Sequence, residues 1–239
     1  MTPRLSVNLN KVALIRNSRG ANYPDLLKVA FDCERFGAQG ITIHPRPDQR
    51  HARYDDVHAL KEVVTTELNI EGYPAGRFVD VVLAAKPDQV TLVPDEPGQL
   101  TSDHGWDTVK RADFLREVLQ PFKAAGIRTS LFVDPDPVMI DGALTVGADR
   151  IEFYTGPFAQ DFAKDAAAAV APFAQACEYA AGIGIGINAG HDLNLANLTF
   201  FKNHMPGLQE VSIGHALVTD ALYLGLEETI RRYLECLSA

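Results

Sequence analysis

Residues that can exchange protons stand at the ends of short apolar segments along this chain. His44, Glu71 and Glu152 lie at or near the ends of three such segments, and His191 and His215 end two more. Imidazole and carboxyl groups are common general acids and bases in enzymes, and a buried carboxyl group is costly unless it is paired. The pattern therefore indicates a site for proton-transfer chemistry that several segments build together.

The densest cluster of basic side chains begins at His44, at the end of one of these segments. Within residues 44–51 the chain carries two imidazoles, His44 and His51, and two guanidiniums, Arg46 and Arg50. A guanidinium can bind phosphate through two parallel hydrogen bonds, and an imidazole can move protons near neutral pH. We interpret this segment as an anion site, with a solvated charged loop as the alternative.

A second anion site is indicated near the end of the chain. His191 follows Asn-Ala-Gly and His215 follows Ser-Ile-Gly, and Gly214 and His215 open the last helical segment. Backbone N–H groups at a helix N-terminus attract anions, and glycine lets a ligand come close to them. Hydrogen-bonded structural histidines are the alternative interpretation.

Eight apolar segments have to position these residues. They are Leu5–Asn10, Gly40–His44, Leu68–Glu71, Val90–Asp95, Thr129–Asp134, Arg150–Glu152, Gly186–His191 and Val211–His215. Between them lie segments with helical periodicity, at 23–37, 56–66, 106–125, 137–146, 158–181, 193–203 and 216–237. Strands that alternate with helices and end in polar residues predict an α/β fold. We expect one (β/α)8 barrel with extra helical elaborations, spanning residues 1–239 as one domain.

Glycines end several of the predicted helices. Gly37, Gly126, Gly147 and Gly182 each precede a strand, where glycine permits a tight turn. A doubly wound sheet is the rival architecture, but its glycine-rich dinucleotide fingerprint does not follow the first strand. The glycine-rich stretch 182–186 enters a strand instead of leaving one, so we interpret it as a helix stop followed by strand packing.

Composition narrows the classes of partner. The formal net charge of −9 and the pI of about 5.2 disfavour nucleic acid and anionic membranes as partners. We expect neither a membrane span nor a secretory signal, because no apolar run is long enough for the first and no apolar region suits the second. Cys33, Cys177 and Cys236 show no paired spacing, so we expect reduced thiols and a cytoplasmic location.

The sequence gives weaker evidence for lysine Schiff-base catalysis and for metal-dependent catalysis. A lysine Schiff base needs a lysine at a strand end, and only Lys11 lies close to one. Strand-end histidines and carboxylates could hold a metal, yet no strand carries the His-x-His pair typical of metal-dependent barrels, so we expect neither a metal nor a cofactor.

We interpret the polar stretch 95–105 as a lid over the site, with a mobile surface loop as the alternative.

Taken together, these motifs resemble the pyridoxine 5′-phosphate synthase family of vitamin B6 biosynthesis. The resemblance runs along essentially the whole chain and rests on 7–8, 14–20, 40–46 with His51, 69–71, 92–94, 131–134, 151–152 with 155–156, 188–191 and 213–216. It implies a barrel that condenses 1-deoxy-D-xylulose 5-phosphate with 3-amino-2-oxopropyl phosphate. The products would be pyridoxine 5′-phosphate, phosphate and water, and the imine would form between the substrates themselves.

The resemblance also implies roles for individual residues. His44 and Glu71 would accept protons, His191 would donate one, and Glu152 would stabilise a transition state. The residues implied for the aminoketone phosphate are Asn8, Arg19, Gly214 and His215, and those for the deoxyxylulose phosphate are Arg46, His51 and Thr101. The family further implies a homo-octamer built from dimers.

Three departures from the family pattern involve four positions. Many members carry Asp-His where this chain has Asn10 and Lys11, so we expect Lys11 to neutralise phosphate and Asn10 to bond hydroxyls. Asp192 replaces a glycine; we expect its backbone N–H to meet a phosphate while its carboxylate turns away as a helix N-cap. Tyr154 replaces a histidine. Two alternatives stay open: another metal-free phosphosugar isomerase or aldolase barrel, and a non-catalytic binding barrel.

Overall fold

Eight parallel strands form a closed barrel in which each strand is hydrogen-bonded to the next and the eighth to the first. The structure is a computed structural model that describes residues 2–95, 98–99 and 101–239. The strands are β1 (Arg4–Asn8), β2 (Gly40–Ile43), β3 (Glu67–Gly72), β4 (Gln89–Leu92), β5 (Arg128–Val133), β6 (Arg150–Tyr154), β7 (Gly186–Gly190) and β8 (Leu208–Ile213). The predicted (β/α)8 architecture is therefore confirmed.

Helices connect the strands. They are α1 (Asn10–Asn17), α2 (Leu26–Arg35), α3 (Tyr54–Val63), α4 (Arg77–Ala85), α5 (Ala112–Ala124), α6 (Pro137–Thr145), α7 (Gly156–Asp161), α8 (Ala166–Ile183), α9 (Leu198–Asn203), α10 (His215–Leu224) and α11 (Leu226–Ser238). Across the described ranges, no helix combines the length and apolar character needed to cross a bilayer.

The helices differ from the prediction in four places. The sequence analysis missed α1 and α4, and it joined α7 to α8 and α10 to α11. The first join was wrong because the Asp165 carboxylate accepts the Ala168 N–H at 3.0 Å and so caps a new helix. The second was wrong because Gly225 has a φ of 81°, which interrupts the helical backbone.

Glycine ends most of the helices that it was predicted to end. Gly37, Gly126 and Gly147 all adopt positive φ directly after a helix. Gly182, by contrast, lies inside α8, and Gly184 ends that helix with a φ of 82°. The predicted stop at Gly182 was therefore wrong by two residues, because the left-handed conformation falls on the later glycine.

The barrel wall separates an apolar outer face from a polar lumen. Leu5, Ile41 and Leu68 belong to the core that the strands share with the helices. Asn188 on β7 donates to Gln89 on β4 at 3.4 Å, and these strands are not neighbours, so both side chains point inward. Alternation along each strand therefore places polar groups inside the barrel and aims the last of them at its mouth.

Candidate active site

A cavity of about 500 Å³ contains nearly all of the predicted site residues and lies where the strands end. Those that line it are Asn8, Asn10, Lys11, His44, Arg46, His51, Glu71, Thr101, Glu152, His191, Asp192, Gly214 and His215. Their convergence follows from the fold, because parallel strands of a barrel all deliver their carboxyl ends to the same face.

Arg19 is the predicted site residue that the structure does not bring to this cavity. It lies exposed in the turn after α1, whereas Asn10, the first residue of that helix, lines the cavity. The helix carries the chain forward by 1.5 Å per residue, so Arg19 lies roughly 13 Å further along than Asn10.

Asn10 and Asn8 form the corner between β1 and α1. The Asn8 Oδ1 accepts the Asn10 N–H at 3.0 Å, and the Asn10 Oδ1 accepts the His44 N–H at 2.8 Å. These two bonds fix the backbone that carries His44 into the site. The Asn10 Nδ2 atom can donate a hydrogen bond to a substrate hydroxyl.

Glu71 is held by neutral hydrogen-bond donors at the centre of the site. Asn8 Nδ2 donates to its Oε2 at 3.2 Å and Ser212 Oγ to its Oε1 at 3.5 Å, while His44 Nδ1 lies 4.0 Å away. Burial raises the pKa of Glu71 to about 7, and the Asp95 carboxylate adds to the rise. Glu71 can therefore take up or release a proton near neutral pH.

Glu152 is the most deeply placed acid of the site. Burial, followed by repulsion from Glu71 and Glu210, raises its pKa well above the usual range. Its Oε2 makes no hydrogen bond within the described part of the chain. A Cβ atom at position 190 would lie 2.6 Å from its Oε1 and 2.8 Å from the Ser212 carbonyl, so Gly190 makes room for this carboxyl. The raised pKa favours the protonated form of Glu152, which can donate a hydrogen bond.

Two imidazoles are kept neutral at the mouth of the barrel. Burial and the positive charge of Arg46 lower the pKa of His44 well below its ordinary value. The same causes, together with Arg50, lower the pKa of His51 to about 4. His51 Nδ1 accepts the Ala52 N–H at 2.9 Å, so its proton is on Nε2. His44 can accept a proton, and His51 can donate a hydrogen bond to an anion.

Positive charge is concentrated on one side of the cavity. Arg46, Arg50 and Lys11 all line it. The Arg46 guanidinium pairs with the buried Asp95 carboxylate and donates to the Gln99 carbonyl at 2.8 Å, and Arg50 donates to the same carbonyl at 3.2 Å. The shared Gln99 carbonyl holds the two guanidiniums close together at the cavity, and such a cluster of cations attracts phosphate.

The segment 95–105 supplies further groups to this side of the site. Thr101 and Ser102 line the cavity, and Ser102 Oγ donates to Asp95 Oδ2 at 2.8 Å. The predicted lid includes 96, 97 and 100, which lie outside the described residues. Its closure over the site stays a prediction.

A helix N-terminus forms a second region of the cavity, at the end of β8. Gly214 caps α10, His215 is its first residue, and both line the cavity. A Cβ atom at position 214 would lie 3.0 Å from the Cβ of Asn8, so glycine permits the close contact between β8 and β1. The first N–H groups of α10 have no acceptor within the helix and can bind an anion.

His191 follows β7 and lines the same cavity. Its Nε2 is 2.8 Å from Thr101 Oγ1, and its Nδ1 is 2.6 Å from Asp192 Oδ2. The expectation that Asp192 caps a helix was wrong, because its carboxylate is engaged by His191 and α9 begins only at Leu198. The Asp192 N–H, expected to meet a phosphate, donates to Thr155 Oγ1 at 3.3 Å.

An apolar wall completes the site. Tyr154 packs against Phe132 with ring centroids 5.7 Å apart and meets the His191 ring edge-on at 5.5 Å, and Val93 joins this cluster. The sequence analysis did not assign the lining residues Leu14, Val93, Ser102, Phe132 and Ser212. Two of them, Val93 and Phe132, lie two residues before the polar end of a predicted strand, so period-two alternation could have identified them.

Metal ligands are not grouped in this part of the molecule. Throughout 2–95, 98–99 and 101–239, no three His, Cys, Asp or Glu side chains converge as a metal ion would require. The arrangement instead provides acids and bases between two anion-binding regions.

Comparisons with a family model and with individual relatives agree on one protein family. A family model described as "Pyridoxal phosphate biosynthesis protein PdxJ" matches residues 5–239. A pyridoxine 5′-phosphate synthase of Bacteroides fragilis (strain YCH46) is 61% identical over 234 residues, covering 98% of this chain and 99% of the relative. One of Cytophaga hutchinsonii is 59% identical over 231 residues, covering 97% of each chain.

Solved structures support the fold alone. Mycobacterium tuberculosis tryptophan synthase matches with a TM-score of 0.67 at 14% identity, covering 100% of this chain and 93% of that one. Thiamine phosphate pyrophosphorylase from Pyrococcus furiosus matches with a TM-score of 0.65 at 13% identity, covering 99% and 96%.

Proposed function

Because the chain belongs to the PdxJ family of pyridoxal phosphate biosynthesis proteins, we propose that it catalyses the pyridoxine 5′-phosphate synthase reaction. The enzyme condenses 1-deoxy-D-xylulose 5-phosphate with 3-amino-2-oxopropyl phosphate and forms pyridoxine 5′-phosphate, phosphate and water. The observation that carries this proposal is a single cavity with four acid–base groups between two anion-binding regions. Relatives about 60% identical over nearly their whole length carry the same activity in their names.

The two phosphate groups bind at separate regions of the cavity, one after β2 and one after β8. Arg46, His51 and Thr101 hold the deoxyxylulose phosphate, supported by Lys11 and by the closeness of both guanidiniums. In the other region Asn8, Gly214 and His215 hold the aminoketone phosphate at the N-terminus of α10. Arg19 belongs to this second set by resemblance only and stays a prediction, since it lies outside the cavity.

Proton transfer takes place between the phosphates. The substrate amine attacks the substrate ketone, so a C–N bond forms and the ketone oxygen leaves as water. His191 donates a proton to a leaving oxygen, and neutral His44 and ionised Glu71 accept protons released during ring closure and aromatisation. Glu152, neutral and buried, donates a hydrogen bond to charge that develops on an oxygen atom.

The apolar wall suits a ring-forming reaction. Val93 and Phe132 line the cavity and offer a surface without charge on which the carbon skeleton can close, and Tyr154 packs against Phe132. Excluding water there strengthens the electrostatic interactions of the acids and bases and protects the reactive imine from hydrolysis.

We also propose a cytoplasmic homo-octamer that uses small-molecule substrates and neither nucleic acid nor membranes. Cys33 and Cys177 are buried free thiols, which supports a reducing compartment. Leu222, Tyr223 and Tyr23 are 74%, 86% and 82% exposed, which supports burial of these side chains between subunits. Light scattering of the purified protein tests the assembly.

Product analysis tests the activity. Purified protein incubated with both substrates should yield pyridoxine 5′-phosphate and an equal amount of phosphate, detected by chromatography and mass spectrometry. Omitting either substrate should abolish the product. Conversion of the sugar phosphate alone would instead indicate an isomerase or aldolase. Binding without turnover would indicate a non-catalytic barrel, and Asn10→Asp with Lys11→His should then create activity.

A further inference from the structure

We propose that Asp192 is a positioning residue that keeps a proton on Nδ1 of His191 and thereby directs Nε2 to exchange protons with the substrate. This proposal rests on the proposed function, because it assigns His191 the role of proton donor. It departs from the expectation for Asp192, whose backbone N–H was predicted to bind phosphate.

The contacts of the ring support this role. The Asp192 carboxylate lies 2.6 Å from Nδ1, and an ionised carboxylate can only accept a hydrogen bond. Nδ1 therefore carries hydrogen whether the ring is neutral or charged. Nε2 lies 2.8 Å from the Thr101 hydroxyl at the cavity, so it accepts in the neutral ring and donates in the protonated one. His191 also interacts electrostatically with Glu71 and His44.

The backbone at His191 is strained in a way that serves the same geometry. His191 has a φ of 90°, a left-handed conformation that is unfavourable for a residue with a side chain. Its N–H donates to the Ser212 carbonyl at 3.3 Å, and the Thr155 hydroxyl donates to the Gly190 carbonyl at 2.6 Å. These bonds hold a turn that brings the Asp192 carboxylate back to the preceding ring.

Another aspartate and histidine that are adjacent in sequence, Asp103 and His104, allow a comparison with His191 and Asp192. His104 Nδ1 also lies 2.6 Å from the Asp103 carboxylate. That pair is more than half exposed, and neither residue lines the cavity. Only at His191 does the carboxylate contact combine with a positive φ and a second ring contact in the cavity.

The proton-transfer step balances with this assignment. Protonated His191 gives its Nε2 proton to the departing hydroxyl of the condensation intermediate. The N–H bond breaks and an O–H bond forms, while the C–O bond breaks with its electron pair on oxygen, and water leaves. The neutral ring that remains keeps Nδ1–H on Asp192, ready to be reprotonated at Nε2. Without the carboxylate, the remaining proton can sit on either nitrogen.

Asp192→Asn tests the proposal, with Asp113→Asn on exposed α5 as the matched control. We expect kcat to fall by about 10-fold or more in Asp192→Asn while both KM values change less than about twofold, because an asparagine side chain no longer fixes the tautomer. The control should match the parent protein. An unchanged kcat, or a loss confined to KM, would overturn the positioning role.

The tautomer itself gives a readout that does not depend on turnover. Nitrogen chemical shifts of isotope-labelled histidine, assigned by the signal lost in His191→Gln, should show neutral His191 with its hydrogen on Nδ1 in the parent protein. Hydrogen on Nε2 there would refute the proposal even if the variant fails to fold. A parent protein that makes no product but shows the Nδ1–H form would refute the proposed function and leave the positioning intact.

Discussion

Replacing Glu71 by glutamine should make the folded protein more stable at about pH 8 and much less active. The carboxyl is buried, its hydrogen bonds come from the neutral donors Asn8 and Ser212, and its pKa rises from 4.5 to about 7. In the unfolded chain it ionises near 4.5, so between that value and about 7 the folded state binds more protons. The free energy of unfolding therefore falls as the pH rises through this window.

The magnitude follows from the shift. The pKa of Glu71 rises by about 2.5, and each unit of pKa is worth about 1.36 kcal/mol, so its ionisation destabilises the folded protein by about 3 kcal/mol. This destabilisation is complete above about pH 7 and absent below pH 4.5. Glutamine cannot ionise, so Glu71→Gln removes this cost. For a domain of this size, 3 kcal/mol corresponds to a rise in Tm of roughly 6–12 °C.

Thermal unfolding at several values between about pH 5 and 8 measures the effect. The stability difference between variant and parent should grow as the pH rises, and kcat should fall by about 100-fold or more. Glu117→Gln, on the exposed side of α5, should change neither quantity. Parallel stability curves across this range, or a variant less stable than its parent at the upper end, would refute the reasoning.

Three further changes have defined outcomes. Arg46→Ala should raise the apparent KM for 1-deoxy-D-xylulose 5-phosphate by about 10-fold or more, since it removes a forked phosphate donor; an unaltered KM would show that Arg46 is not part of the anion site. Gly190→Ala should lower stability by about 1–3 kcal/mol and reduce kcat, because its Cβ would lie 2.6 Å from Glu152 Oε1. Gly182→Ala in α8 should instead raise stability by about 0.5–1 kcal/mol, since no atom lies within 4 Å of the new Cβ; equal effects at the two glycines in denaturant unfolding would contradict this explanation. The rate of the parent protein should rise with pH through about 7 as Glu71 ionises, and a flat profile would remove Glu71 as the base.

The barrel and most of its site could be predicted because strand ends carry a local signal. Apolar alternation gives each strand, and a polar residue at its end then points to the common face. His44 and Glu71 were located in this way. Helix α4 was missed although its buried residues Phe78, Val81, Val82 and Ala85 do follow a helical period.

Contacts between residues far apart in the chain could not be predicted from the sequence. The pairing of Arg46 with Asp95 joins residues from two loops, and the contact of Thr101 with His191 joins residues 90 positions apart. The Asp192–His191 contact is local, yet it depends on the positive φ of His191, which sequence gives no reason to expect at a histidine. These tertiary contacts determine proton positions and pKa values, so the acid–base properties of the site required the structure.

A crystal structure with 1-deoxy-D-xylulose 5-phosphate and inorganic phosphate bound tests most directly that one cavity binds two phosphates on either side of its acids and bases. The sugar phosphate group should contact Arg46 and His51, and inorganic phosphate should bind the N-terminus of α10 at Gly214 and His215. Glu71 and His191 should lie beside the sugar carbons between them. Both phosphates on one side of the cavity, or a sugar bound away from Glu71, would contradict the account.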